Sequence, residues 1–157
     1  MKVGIEKLSI YPSSLVLDIR ELAEAREVPV SETIDHLFVE QRTVVPLFED
    51  TVTLAVNAAK DLLSEEDKQD IELLIVGTES SVDFGKPVST YVQRLLGLPN
   101  TCRNFETKHA CYSGSAGYMM ALHWLAAGVR PGKKALVITS AFLPGRTPVA
   151  SQCSAIM

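Results

Sequence analysis

Leu73-Leu74-Ile75-Val76-Gly77, running directly into Thr78-Glu79-Ser80-Ser81-Val82-Asp83, is the stretch that sets the class of fold. An unbroken apolar run between polar flanks fits a strand buried on both faces. Such strands belong to parallel or mixed sheets with helices packed on either side. In α/β proteins ligands collect beyond the ends of these strands, so the polar residues from Glu79 onward are the first place to look for a site.

Working outward, the segments on either side alternate between strand and helix patterns. Upstream, Val3 to Ile10 reads as a strand stopped by Tyr11-Pro12-Ser13-Ser14. Leu15 to Arg26 places Leu15, Val16, Ile19, Leu22 and Ala23 on one helical face, an amphipathic helix closed by Pro29. Ser31 caps a short helix through Val39, and Thr51 to Leu63, rich in Ala, Val and Leu, reads as a helix buried on most sides. Ser64 to Lys68 is a solvated turn or frayed helical segment, and the acidic run Glu65 to Asp70 is a solvated face.

Downstream, Pro87 to Leu96 is a helix with Gly97 near its C-cap, and Arg103 to Glu106 a short strand. Tyr112 to Ala127 is a buried helix whose Gly114 and Gly117 imply close packing against another backbone. Pro131-Gly132 turns the chain into a last buried strand, Lys134 to Thr139. Residues 141–157, with Pro144-Gly145 and Pro148, support neither helix nor strand and read as an irregular tail. No repeat is evident, and the alternation argues for one α/β layered unit with a mixed central sheet and flanking helices.

Bulk properties narrow the function. A 46% hydrophobic composition in 157 residues supports one domain with a sizeable core. The net charge of -4 offers no basic field for nucleic acid or anionic lipid. No segment reaches the roughly 18 apolar residues of a membrane span, and the start carries Glu6 where a signal peptide would be apolar, so a cytoplasmic protein is expected. Cys102, Cys111 and Cys153 are an odd number without CxxC spacing, which suggests neither a disulfide framework nor a metal site.

Cys111 stands between a strand and the buried helix, in Lys108-His109-Ala110-Cys111-Tyr112-Ser113-Gly114-Ser115. The unpaired N–H groups at a helix start favour thiolate over thiol, and the small residues let a thioester approach the backbone. Glu79 is a carboxylate directly after a buried strand, a costly place unless it is paired or recruited for proton transfer. Each residue alone has a plainer reading, Cys111 as a small buried side chain and Glu79 as a loop or capping residue. His109 is offset from Cys111 by the turn into the helix. Cys102 and Cys153 lack a flanking pattern, and Ser80, Ser81, Ser113 and Ser115 lack a GxSxG context.

Taken with their surroundings, these residues resemble the 3-hydroxy-3-methylglutaryl-CoA synthase family of the thiolase superfamily. Val3-Gly4-Ile5-Glu6, Leu22-Ala23-Glu24-Ala25-Arg26, Glu49-Asp50, Val56-Asn57-Ala58-Ala59-Lys60, Thr78-Glu79-Ser80 and Ala110-Cys111-Tyr112 occur in family order to about Ser140. Asp83-Phe84-Gly85-Lys86, Ser89-Thr90-Tyr91 and the form Cys111-Tyr112-Ser113-Gly114-Ser115-Ala116-Gly117 are most similar to the synthases that install β-methyl branches in bacterial polyketides.

The resemblance implies a thiolase-like fold and two catalytic residues. Cys111 would accept acetyl from acetyl-CoA or an acetyl-carrier protein, and Glu79 would be the acid/base. It implies no cofactor beyond those substrates, an acyl carrier protein partner that Arg20, Arg26, Arg42 or Lys86 could contact, and a homo-oligomer. Ketoacyl synthases, also of the superfamily, usually pair the cysteine with His or Asn rather than with this glutamate. The family fold has two similar halves and a catalytic histidine whose context His36, His109 and His123 do not match. Residues 1–140 therefore read as the amino-terminal half of a synthase domain, and 141–157 as a departure from it by truncation or frame disruption. The alternatives are a non-catalytic remnant serving as an interaction piece, or a fragment of a mevalonate-pathway synthase.

Overall fold

The structure, a computed structural model, describes residues 3–31, 34–35 and 38–142 and the backbone of 152–156. Its centre is a five-stranded mixed sheet built from β1 (Leu8–Ile10), β4 (Ile71–Gly77), β5 (Arg103–Thr107), β6 (Lys134–Ala141) and β7 (Gln152–Ile156). The order is β1-β7-β6-β4-β5; β4 runs parallel to both β5 and β6, and β7 is antiparallel to β6 and β1.

The expected apolar run lies at the heart of this sheet, and the strand's period of two divides it between two cores. Leu74 and Val76 of β4, with Leu136 and Ile138 of β6, face α2 (Thr51–Lys60) and α4 (Val88–Leu96). Leu73 and Ile75, with Ala135 and Val137, face α5 (Ser113–Ala126) on the opposite side. Helices on both faces explain why no polar residue interrupts the run. Gly117 lets α5 come close, since a Cβ there would stand 2.9 Å from Ile75 Cγ2. The outer side of α5 is exposed at Met119 and Met120, so this helix, expected to be buried, is covered on one face only.

Two segments differ from expectation because long-range pairing overrides local pattern. Leu15 to Asp18 is not the first turn of a helix but β2 (Leu15–Asp18), antiparallel to β3 (Gln41–Val44). The helix α1 (Ile19–Ala25) starts only where the Asp18 side chain accepts from the Arg20 N–H at 2.8 Å. Within the tail expected to be irregular, residues 152–156 form β7, inserted between β1 and β6. The strand expected to end at Thr139 continues to Ala141. Residues 143–151 lie outside the described residues, as do 32–33 and 36–37 within the short helix expected from Ser31 to Val39, where Ser31, Ile34 and Asp35 are helical.

The acidic run is also more than a solvated face. It forms α3 (Glu65–Asp70), closed by a capping box in which Ser64 and Asp67 bond each other's backbone N–H. Asp67 is buried, and its carboxylate accepts from Lys134 Nζ at 2.7 Å and from Lys7 Nζ; Lys134 also reaches Glu6 at 2.9 Å. One carboxylate thus ties the amino-terminal segment, α3 and the start of β6 together.

Lys134, then Lys7 and the Ser64 N–H, hold the Asp67 carboxyl well below the usual carboxylate range, against the opposing effect of burial. A depressed acid stabilises the fold above its unfolded value, about 3.9, and that contribution fades as pH falls further. Asp67→Asn is expected to lose about 2 kcal/mol at neutral pH. It should also flatten the stability profile between about pH 4 and 2, which urea unfolding at a series of pH values would read.

Candidate active site

The C-terminal end of β4 delivers Thr78 and Glu79 to the edge of the sheet, where the backbone on both sides of Glu79 is pinned. Thr78 is fully buried; its N–H donates to the Thr107 carbonyl at 3.0 Å, and its hydroxyl accepts from the Ser80 N–H at 2.9 Å. The Ser80 carbonyl accepts from Thr51 Oγ1 at 2.7 Å, and the Ser80 hydroxyl accepts from the Phe142 N–H at 3.1 Å while donating to the Phe142 carbonyl.

Beyond β4 opens a cleft of about 480 Å³, lined by residues 79–84 together with Glu106, Lys108 and Phe142. Three carboxylates face it, and hydrogen bonding separates them. Asp83 accepts from the Gly85 and Lys86 N–H groups at 2.7 and 2.9 Å, bonds that hold its carboxyl low. Glu106 accepts from the Val88 N–H at 2.8 Å and from the Ser81 hydroxyl. Among the described residues Glu79 alone of the three has neither hydrogen bond nor ion pair, so its carboxylate remains available for proton transfer.

Cys111 sits outside the cleft lining, exposed, two residues before α5. The start of that helix is locked onto the end of β4. A Cβ on Gly77 would lie 2.7 Å from Gly114 N and 2.8 Å from Ser113 C, a backbone-to-backbone approach open only to glycine. Thr107 Oγ1 donates to the Ser113 carbonyl at 2.9 Å, fastening the helix start to β5 as well. Cys111 and Glu79 are therefore held at the same end of adjacent parallel strands, within a few residues of one shared contact. Ala110 takes φ +41°, a left-handed conformation that costs an L-residue roughly 1–2 kcal/mol and turns the chain into Cys111. The N-cap Tyr112 makes no side-chain capping bond, and among the described residues the Ser113 N–H donates to the Ala110 carbonyl at 3.2 Å.

The remaining expected residues fall apart from this pair. The His109 ring packs edge-on against Tyr112, with centroids 5.4 Å apart, and makes no hydrogen bond to Cys111. His123 is exposed on α5, and His36 lies outside the described residues. Arg20, Arg26 and Arg42 belong to the β2–α1–β3 segment, whereas Lys86 is in the cleft loop with its Nζ 3.9 Å from the Tyr91 ring centre. Sequence reading passed over Glu106 and Lys108. Both lie at the C-terminal end of β5, the strand neighbouring β4, and the strand-end rule applied to Glu79 points to them equally.

The thiols should separate sharply in reactivity. Cys102 is buried, and burial, with the Glu72 charge adding to it, pushes its thiol up to about 11. In a Cys153→Ser background at pH 8, iodoacetamide is expected to modify Cys111 roughly 100-fold faster than Cys102, as peptide mapping would show.

A mixed sheet between helix layers, with an exposed cysteine two residues before a helix and a carboxylate just after a strand of the sheet, is the amino-terminal portion of a thiolase-like fold. The hydroxymethylglutaryl-coenzyme A synthase N-terminal family matches residues 1–144, and the chain belongs to that family. It is similar to the polyketide biosynthesis 3-hydroxy-3-methylglutaryl-ACP synthase PksG of Bacillus subtilis, at 45% identity over 143 residues, 89% of this chain and 34% of PksG. The hydroxymethylglutaryl-CoA synthase of Enterococcus faecalis is 39% identical over 140 residues, 89% of this chain and 36% of that protein. Among solved structures, the HMG synthase of the curacin biosynthetic pathway superposes with a TM-score of 0.90 at 44% identity, over 98% of this chain and 39% of that one. That synthase has also been solved with holo and acetyl donor-ACP. The chain thus spans about a third to two fifths of the length of these relatives. Among the described residues, no helix is long and apolar enough to cross a membrane, and no group of three or more His, Cys, Asp or Glu is placed to hold a metal ion.

Proposed function

We propose that this chain carries the acetyl-accepting half of a 3-hydroxy-3-methylglutaryl synthase that acts in polyketide β-branching. The Cys111 sulfur attacks the carbonyl of an acetyl thioester, and the donor thiol leaves. Glu79 then takes a proton from the methyl group of acetyl-Cys111, and the resulting carbanion adds to the β-ketone of an acceptor thioester on a carrier protein. The new alkoxide takes up a proton, and water cleaves the Cys111 thioester to release the branched acid and restore the thiol. The thioester substrates and protein groups supply all of this chemistry, without a separate cofactor.

One observation carries the reading. The Gly77–Gly114 approach fastens the Cys111 helix start to the strand end that bears Glu79, the cleft carboxylate that no described residue engages. A thiolate accepts acyl groups readily, and a carboxylate is a competent base where it is not already committed to hydrogen bonds. Backbone N–H groups at the uncapped start of α5 could hold the thioester oxyanion. The higher identity to PksG than to the Enterococcus faecalis synthase supports a carrier-protein donor over acetyl-CoA, and by the family resemblance the enzyme works as a cytoplasmic homo-oligomer.

The donor can be tested by offering acetyl-CoA and acetyl-carrier protein separately and timing acetyl transfer to Cys111. Transfer at least about 10-fold faster from the carrier protein is the result that electrostatic steering to a protein partner predicts. Faster transfer from acetyl-CoA would place the chain with the mevalonate-type synthases. Transfer from neither would favour a non-catalytic interaction piece.

A further inference from the structure

We propose that Glu106 is a positioning residue, which stitches the loop from Ser81 to Val88 across the mouth of the Glu79 cleft. The inference rests on the reading of Glu79 as the acid/base and concerns what holds the loop that follows that residue in the cleft wall.

Glu106 lines the cleft, and on position alone could be taken for a second catalytic carboxylate. Its oxygens are already committed: Oε2 accepts from the Val88 N–H at 2.8 Å, and Oε1 accepts from the Ser81 hydroxyl. The first bond meets a local need. The N-cap of α4 is Pro87, which has no side-chain acceptor, so the carboxylate of a neighbouring strand serves the helix start instead. The second bond falls two residues after Glu79. One half-buried side chain on β5 therefore joins both ends of a loop whose middle, from Val82 to Lys86, is exposed, with Phe84 fully in solvent. Within the loop the Asp83 turn is local, and the Lys86–Tyr91 contact reaches only α4; neither ties the Ser81 end to the sheet. Nearer Glu79, Thr78 before it and Ser80 after it are fixed to Thr107, Thr51 and Phe142. Without Glu106 the chain would be anchored only up to Ser80.

The test uses Glu106→Ala and Glu106→Gln in the full chain, with two readouts. Glutamine keeps an acceptor for Val88 and a group to bond the Ser81 hydroxyl, whereas alanine keeps neither. Hydrogen–deuterium exchange of peptides spanning residues 79–88 is expected to rise in Glu106→Ala and to stay near wild type in Glu106→Gln. In the acetylated chain, deuterium uptake from solvent into the acetyl methyl is expected to fall roughly 10- to 100-fold in Glu106→Ala. Acetyl loading of Cys111 should change by less than about 3-fold, and glutamine should restore the methyl exchange. An unchanged loop in folded Glu106→Ala would overturn the proposal. So would an equal fall in loading and methyl exchange, or a glutamine variant as impaired as alanine. If the wild-type chain takes up no acetyl, the reading of Cys111 as the acyl acceptor falls instead, and amide exchange alone decides whether Glu106 anchors the loop.

Discussion

Glu79→Gln is expected to accept acetyl onto Cys111 at close to the wild-type rate and then to hold it inert, with methyl-proton exchange lowered about 10²- to 10⁴-fold. Loading needs a thiolate and an oxyanion site at the start of α5. Removing a methyl proton needs an uncommitted base. Of the three carboxylates in the cleft, Asp83 is engaged by two backbone N–H groups and Glu106 by Val88 and Ser81, which leaves Glu79. Glutamine preserves the size and polarity of the side chain and removes only its basicity, so the two steps should part. Deuterium uptake into the acetyl group, read by mass spectrometry of the Cys111 peptide, measures the second step directly. Exchange that survives the substitution would reassign the base.

The second large effect is structural. Gly77→Ala is expected to destabilise the fold by about 3 kcal/mol and to impair Cys111 loading as well. The added carbon would meet Gly114 N at 2.7 Å and Ser113 C at 2.8 Å, both backbone atoms of α5 that can yield only by moving the helix. Gly117→Ala should cost less, since its nearest neighbours are the side-chain carbons of Ile75 and Val137 at 2.9 and 3.4 Å and alanine favours the helix. Gly4, with nothing within 4 Å, supplies the neutral comparison. Thermal and urea unfolding of the three alanine variants should rank them Gly77, Gly117, Gly4. Equal stability of Gly77→Ala and Gly4→Ala would remove the contact on which the placement of Cys111 depends.

Those elements were legible in the sequence whose residues report their own surroundings. β4 is apolar from Leu73 to Gly77 because helices cover both faces, and Gly114 and Gly117 announce a close approach that the structure locates at Gly77 and Ile75. Pro87 and Gly97 bracket α4 at its N-cap and its left-handed C-cap. Legibility ends where a partner far along the chain decides. Leu15 to Leu17 have a helical pattern but pair with Arg42 to Val44, and β7 finds its partners in β1 and β6. Asp67 looks like one more surface acid until Lys7 and Lys134 are brought to it from opposite ends of the chain.

The site follows the same rule. The positions of Cys111 before a helix start and Glu79 after a strand end were readable, while their pairing came from the family resemblance. Glu106 was not, because its significance comes from Ser81 and Val88, which only the fold brings to it.

The most direct measurement is the intact mass of the purified, folded chain after incubation with acetyl-loaded carrier protein, beside Cys111→Ser. A gain of one acetyl group, mapped to Cys111 and absent from the serine variant, is the predicted result. A folded chain that gains no acetyl, or gains it equally in Cys111→Ser, would contradict the assignment of Cys111 as the acyl acceptor.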